Sequence, residues 1–467
     1  MPLNSYNIPQ RNYRLFNGAV MKAMQQLKSI VMIASVLSVA QVWAASPEPW
    51  PCQADAQAWC KDVQPGEGRI IACLKQHFSK LSAACRGSFS ASAKTAAARG
   101  IFLWPTNWMI KNGDFDKAIA VPGVDGIGVH FTWAEISPAL KTYDFTAMDR
   151  QLALARSHHL AVELSVMAGK GNPEWLFEKP PLGLGLRRLD FAVNYHGGNE
   201  PCQKVSMPPP WDPGYQAAFA GMLEQLAAHL RETGYDRDVA VIKLTGIQTL
   251  TEELGLPGAT PAEARSQCVN DHPRIWQEAG YRPSLVVQAM KGIAASYQRS
   301  FPDTMVSLPI IVLFAFPPIG EDGRPMPRAK AVGINDRLLD NLVRTAAKAL
   351  PGHFVVQDCF LIADEPADQR TVALSHANNV GVAWQTNMWF GRYGKGAACG
   401  GRGKGFLERM QNAIACDEQS FLQMLHRGMY PQGGTGPSAN GLFIEVFPSD
   451  VVAFPRAIKI AHDEWKR

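Results

Sequence analysis

The sequence lacks most of the short signatures that would name a chemistry at once. It has no CxxC pair and no HxH or HExxH spacing, which removes the commonest zinc-finger and zinc-protease patterns. No Gly-rich phosphate loop follows its first apolar strand, so a nucleotide-binding open sheet has no anchor. Beyond residue 44 there is no Lys/Arg-rich run, which leaves an electrostatic grip on nucleic acid without support. Charged residues are only 19% of the 467, against 46% apolar. That balance excludes a mostly disordered chain, a collagen and a small disulfide knot. Apart from one run near the start, no stretch approaches the length of a membrane span.

That run belongs to a segment with its own logic. Residues 1–44 contain Arg11, Arg14, Lys22 and Lys28 and no acid. The apolar stretch Ile30–Val42 follows, then Val42-Trp43-Ala44. A basic region, a short apolar region and a small-residue cleavage site predict an export signal over 1–44. An uncut N-terminal anchor is the other reading, and Met21 gives a tidier start than Met1. Cleavage removes four of the positive charges behind the formal +5, leaving a nearly neutral chain. The expectation is a periplasmic or secreted protein with no integral membrane segment after cleavage and no nucleic-acid partner.

Export permits disulfides. Four of the nine cysteines, Cys52, Cys60, Cys73 and Cys85, fall close together with gaps of seven, twelve and eleven residues. Trp59, Ile70, Ile71, Leu74, Phe78 and Leu81 recur around them at helical spacing. So short a piece buries too little surface to fold unaided, which predicts two disulfides stapling a pair of helices. Three pairings remain open, and a zinc site is the rival use of the same residues. The expected divisions are this segment at 45–87, a Ser/Ala-rich linker at 88–99 and one large domain at 100–467. In the large domain, Cys202 and Cys268 sit in long irregular segments and are expected to join them. Cys399 and Cys416 bracket a Gly-rich loop, and Cys359 is the expected free thiol.

The large domain alternates apolar strands with amphipathic helices. Strands are expected at Gly100–Trp104, Gly126–Thr132, Ala161–Met167, Val239–Leu244, Met305–Leu313, His353–Cys359, Gly381–Gln385 and Leu442–Val446. Helices are expected at Thr146–His158, Tyr215–Thr233, Ser284–Ser300, Asn335–Lys348, Glu418–Arg427 and Phe454–Arg467. Near-continuous apolar strands separated by helices predict a parallel sheet covered on both faces. Eight of them fit an α/β fold of the (β/α)8 TIM barrel type with large insertions, behind a small disulfide-stapled helical repeat. A doubly wound open sheet is the alternative.

Polar and aromatic residues decorate the strand ends. Trp104 and Trp108 follow the first strand, Trp133 the second and Trp175 the third. Trp211 lies in the third insertion, and Gln385, Asn387 and Trp389 follow the seventh strand. In a barrel such positions gather at one rim, where active sites lie. Indole faces stack on sugar rings while amides and carboxylates bond hydroxyls, so Trp104, Trp133, Trp175, Trp211, Gln385, Asn387 and Trp389 are candidates for substrate binding. The bland alternative for any one Trp is the core.

Glycosidic cleavage uses two carboxyls, one protonated and one ionised. Glu445 stands in GLFIEVFPSD, an acid inside an otherwise apolar strand, where an unpartnered charge is costly. Glu252 and Glu253 follow the fourth strand as neighbours, so one can ionise while the other is pushed toward its neutral form. Asp358, Asp364 and Glu365 are further acids near strand ends. Each acid other than Glu445 is equally explained by a salt bridge or a helix cap. His130, His196, His353 and His376 are the residues a metal-dependent hydrolase would use. No metal and no cofactor are expected.

Two resemblances sharpen these readings. The cysteine spacing, Asp55, Val63–Arg69, Cys73-Leu74 and Leu81-Ser82 resemble the cysteine-rich repeat first described in Golgi glycoprotein 1. Trp133, Glu135, Tyr143-Asp144-Phe145, Asp149 and Pro173-Glu174-Trp175-Leu176 resemble the second and third barrel units of clan A glycoside hydrolases, near the family 42 β-galactosidase pattern. That resemblance implies a (β/α)8 glycosidase acting on an oligosaccharide or polysaccharide. It implies Glu253 as proton donor and Glu445 as nucleophile, a retaining pair. Two positions depart from the clan pattern: Glu253 lies several residues beyond the fourth strand, and Glu445 ends the eighth strand while Gln385 holds the seventh. A non-catalytic carbohydrate-binding protein on a degenerate barrel is the alternative function.

Overall fold

The computed structural model describes residues 52–63, 69–77, 80–82, 85, 98–194, 202–259, 268–310, 316–361, 369–386, 417–431 and 441–466. The expected export segment 1–44, residues 88–97 of the expected 88–99 linker, His196, Asp364, Glu365, Asn387, Trp389, Cys399 and Cys416 lie outside the described residues.

Residues 52–85 form the stapled pair that the cysteines predict. Helices Gln53–Trp59 and Arg69–Gln76 are held by Cys52–Cys85 and Cys60–Cys73, which settles the pairing and removes the zinc reading. Cys52, Cys60, Leu74, Leu81 and Cys85 make a small core of their own. Asp55 is buried beside it, and its carboxylate accepts hydrogen bonds from the Ser82 backbone N–H at 2.8 Å and the Ser82 hydroxyl at 2.6 Å. A buried carboxylate so satisfied adds a polar tie between the two ends of the segment.

The large domain has ten described strands. They are β1 (Gly100–Leu103), β2 (Gly126–Thr132), β3 (Ala161–Met167), β4 (Leu189–Val193), β5 (Gln203–Met207), β6 (Val239–Lys243), β7 (Met305–Ile310), β8 (Phe354–Leu361), β9 (Gly381–Thr386) and β10 (Gly441–Val446). Eight of them close a parallel barrel in the order β1-β2-β3-β6-β7-β8-β9-β10, with β10 returning to β1. This is a TIM barrel, and the open-sheet alternative falls with the closure. All eight expected strands are present. Both faces of the sheet are covered, so the strands need little polar alternation.

The expected helices form the outer ring. Pro213–Thr233 starts where Asp212 accepts from the backbone N–H groups of Gly214 and Tyr215, with Pro213 in the first turn. Pro283–Ser300 and Arg328–Ala349 follow on the same side of the ring, and Pro455–Trp465 closes it under β1. The main core lies between helices and outward strand faces; Val162, Leu164, Val166, Phe219, Met290, Leu342 and Ile458 belong to it.

The sequence reading did not contain β4 and β5. They pair as an antiparallel hairpin between the third and fourth barrel strands. Cys202–Cys268 ties this hairpin to the chain beyond β6, joining the two irregular segments as expected. Asn270 Oδ1 accepts from the Ala192 N–H at 2.9 Å, and His272 Nε2 lies 3.0 Å from the Ala192 carbonyl oxygen.

Candidate active site

Side chains alternate along a strand, so every second residue points into the barrel. Toward the N-terminal ends these positions are apolar. Phe102, Ala161, Val241, Met305, Val355, Ala383 and Phe443 form one buried cluster. Two residues further along, the same strands present Trp104, Glu163, Lys243, Ser307, Gln357, Gln385 and Glu445. The polar layer therefore starts one side chain above an oily floor, on the C-terminal half where barrel active sites lie.

Two glycines make room for it. A Cβ on Gly126 would meet the Phe102 ring at 2.3 Å, and one on Gly128 would meet the Trp104 ring at 2.2 Å. The missing side chains on β2 are what let both aromatic rings lie inside the barrel.

Glu445 is the hub of the polar layer. It is 0% exposed. Lys243 Nζ approaches its Oε1 at 2.7 Å, and Gln385 donates its amide N–H to Oε2. The Lys243 ammonium also lies over the Trp104 ring, 3.4 Å from its centroid. Burial alone opposes the Lys243 charge, but Glu445, Glu163 and Glu252 outweigh it and hold the ammonium protonated well above the ordinary lysine range. Glu163 is shifted upward as well, which for an acid favours the neutral form. Burial, then the charge of Glu445 against the opposing pull of Lys243, raise its carboxyl well above the usual range. Both Glu163 oxygens are buried with no hydrogen-bond partner. Beside them Ser307 donates its hydroxyl hydrogen to Gln357 Oε1.

Glu252 and Glu253 come from the loop after β6. Short bridges pair Gln248 with Leu254 and Leu254 with Ile310, which pins the turn over β6 and β7. His130 Nδ1, at the end of β2, lies 3.5 Å from Glu252 Oε1, and the His130 ring meets the Trp104 ring edge-on at 4.9 Å. Burial pushes the Glu252 carboxyl up, but the His130 hydrogen bond and the Lys243 charge prevail and bring it down to about 2. Glu253 is raised, first by burial and then by the negative charge of Glu252. Among the described residues, Cys359 is the buried free thiol. Burial and the nearby Glu253 push it far above the thiol range, so it is not a thiolate nucleophile.

The structure thus brings Glu445, Gln385 and Trp104 into one network and sets Glu253 in the loop above β6. It treats the other tryptophans differently. Trp133 is 0% exposed and packs on Trp175, Tyr215 and Phe219 with ring centroids 5.4–5.9 Å away. Trp175 is buried too, its indole N–H donating to the Ser137 carbonyl at 2.8 Å. These two indoles build the wall behind the mouth and offer no open face to a sugar. The reason is local: Thr132 and Glu135 form a capping box that starts a short helix at Trp133 and turns that ring inward. Trp211 is half-buried against Trp276 and Tyr281, each at 5.9 Å. His353 lies at the start of β8, at the opposite end from the mouth. Among the described residues no group of three metal-binding side chains is gathered.

Sequence reasoning passed over Glu163 and Lys243. Their signal is the one that marks Glu445: a charge inside an apolar strand, in AVELSVM and VAVIKL.

β1 is a barrel strand, so Gln385 stands on the seventh strand and Glu445 on the eighth. Residues 51–82 match a family model described as cysteine rich repeat. No curated protein sequence matches the chain. Among solved structures, it is similar to a β-galactosidase from the psychrophilic Marinomonas ef1, at 12% identity and a TM-score of 0.41, over 79% of this chain and 59% of that one. It is similar to a GH10 xylanase from Bispora sp. MEY-1 with xylobiose, at 11% identity and a TM-score of 0.40, over 77% of this chain and 86% of that one. It is also similar to xylanase XynB from Paenibacillus barcinonensis complexed with a conduramine derivative, at 11% and 0.35, over 63% and 70%. The chain spans 59% of the length of that β-galactosidase.

Proposed function

We propose that this chain is an exported glycoside hydrolase that cleaves O-glycosidic bonds of an oligosaccharide or polysaccharide by a retaining two-carboxylate mechanism. One observation carries the reading. The C-terminal half of the barrel holds two carboxyls in different settings: Glu253, raised toward its neutral form, and Glu445, 2.7 Å from the Lys243 ammonium. Such a split is how acid and nucleophile are assigned within one fold. Glu253 gives its proton to the leaving glycosidic oxygen. Glu445 attacks the anomeric carbon and forms a glycosyl ester as the C–O bond breaks. Glu253, now ionised, takes a proton from water, whose oxygen displaces Glu445 and restores both groups. Trp211, Gln385, Asn387 and Trp389 are proposed to position the sugar, while Trp104, buried under the Lys243 ammonium, offers it no open face.

A panel of 4-nitrophenyl glycosides and plant polysaccharides, followed by proton NMR of the product anomer, tests this. Retained configuration is expected, with losses of at least about 100-fold in Glu253→Gln and Glu445→Gln. Unchanged hydrolysis in Glu445→Gln overturns it. Complete burial of Glu445, with both oxygens engaged, favours a second reading, a carbohydrate-binding protein without hydrolysis. Glycan binding that survives in Glu445→Gln, with no product formed, would select it.

The disulfides Cys52–Cys85, Cys60–Cys73 and Cys202–Cys268 support an oxidising compartment. Export through residues 1–44, a repeat at 45–87, a linker at 88–99 and a hydrolase unit at 100–467 complete the proposal. No helix among the described residues is long and apolar enough to cross a membrane. N-terminal sequencing of protein recovered from the periplasm or medium checks the cleavage.

A further inference from the structure

The assigned pair leaves two buried charged side chains unexplained. Glu163 and Lys243 are 0% and 1% exposed, sit in the same inward layer as Glu445, and come from strands that pair directly, with Glu163 in register with Val241. Three ionisable groups in a dry interior are costly unless each answers another. Two of them do so directly: Lys243 Nζ is 2.7 Å from Glu445 Oε1, while Gln385 holds Oε2. The Trp104 ring face closes the other side of the ammonium. Neither oxygen of Glu163 receives a hydrogen bond from a donor group. A bare carboxylate in that place would face Glu445 as a like charge, whereas a carboxylic acid faces it as a donor.

We propose that Glu163 and Lys243 are positioning residues for Glu445: Glu163 stays a neutral acid that donates its proton in a hydrogen bond to Glu445, and Lys243 supplies a fixed cation, so that the Glu445 carboxylate is held in a single orientation. The kinetic part of this rests on the hydrolase reading above; the proton's location does not. The other titratable groups facing the set are Glu252 and Glu253 from the loop after β6, Cys359 from β8, and His130 near the end of β2. Glu252 adds negative charge above the layer. That strengthens the need for Lys243 and opposes ionisation of Glu163.

Infrared spectra of the full chain, with glutamate carboxyls carbon-13 labelled, locate the proton without any substrate. Near neutral pH the wild type should show protonated-carboxyl C=O intensity that falls in Glu163→Gln, that keeps the Glu163 component in Glu253→Gln, and that vanishes in the double variant. Absence of that intensity, or intensity undiminished in Glu163→Gln, overturns the proposal. The second readout uses whichever 4-nitrophenyl glycoside is cleaved. In Glu163→Leu the donor is lost and the acidic limb of kcat/KM should move up by about one pH unit, with kcat falling and KM little changed. Glu163→Gln keeps an N–H donor and should restore most of both. An acidic limb that stays in place in Glu163→Leu, while Glu445→Gln is inactive, also overturns the positioning role. A protein that shows this pattern but cleaves no glycoside keeps the proton assignment and rejects the hydrolase reading instead.

Discussion

Two neighbouring layers of the barrel interior are built from the same strands and do opposite work. Phe102, Val241 and Phe443 lie in the lower layer and Trp104, Lys243 and Glu445 in the upper, each pair two residues apart on one strand. The lower layer is wholly apolar and buried. Burying such side chains contributes about 1.5–3 kcal/mol each, and nothing there needs a partner. The upper layer is equally buried but places two acids and a lysine where each depends on the others. Filling those three positions with packed apolar side chains would be neutral or stabilising. The comparison teaches that the barrel gives up stability one layer above its floor, on the side where barrel enzymes keep their chemistry.

The largest expected effect comes from the floor. Phe443→Ala removes a fully buried ring and should cost about 3–5 kcal/mol, read as a lower urea midpoint with an unchanged slope. The remaining folded protein should keep its pH profile. A changed acidic limb would mean the two layers are not separable.

Lys243→Met tests the upper layer. It leaves the Glu445 carboxylate and its ring of acids without a cation, which should cost about 3–5 kcal/mol. The double variant Lys243→Met/Glu445→Gln should recover most of that loss, because the stranded charge is gone. If single and double variants unfold at the same urea concentration, the layer is held by shape and not by paired charge. Gln385→Leu is a milder version. It removes only the amide donor to Glu445 Oε2 and should cost about 1.5–3 kcal/mol, the range for a hydrogen bond to a charged group.

Much of this arrangement is legible in the sequence, and the illegible part has a physical cause. The eight barrel strands read well because strands covered on both faces are nearly continuous apolar runs, as in VAVIK and MVSLPI. The cysteine spacing announced a stapled helix pair, but which cysteines join, Cys52 with Cys85 and Cys60 with Cys73, stood open among three pairings until the structure. Glu445 was conspicuous as an acid among Leu442, Phe443, Ile444 and Val446. Glu163 and Lys243 carry that same mark, but what gives it meaning is their meeting with Glu445. That meeting depends on barrel closure and strand register, which a single sequence does not show. β4 and β5 escaped for a related reason. LDFAV and QKVSM are short and half-polar, and they pair with help from Cys202–Cys268 and Asn270, distant in the chain. Trp133 reads alike as rim or core, and its direction is decided by the capping box at Thr132.

The smallest effect is the sharpest probe of which layer member holds the proton. Glu163 binds its proton more tightly folded than unfolded, because burial and Glu445 raise its carboxyl above the ordinary 4.5. Between that ordinary value and the raised one, the native state keeps the proton and the unfolded chain releases it. Stability therefore falls as pH rises through this window, with a slope of at most about 1.4 kcal/mol per pH unit for one proton. Glu253 is shifted in the same direction and adds to the slope. Glu252 acts oppositely: its carboxyl lies near 2 when folded, so its stabilisation is present above the ordinary glutamate value and is lost as pH falls toward 2. Urea titrations at a series of pH values should show the fall above 4.5 flattened in Glu163→Gln and the acid-side loss unchanged. A slope identical to wild type in Glu163→Gln would place the extra native-state proton elsewhere, and Glu253, the other raised carboxyl of the mouth, would be the group to replace next.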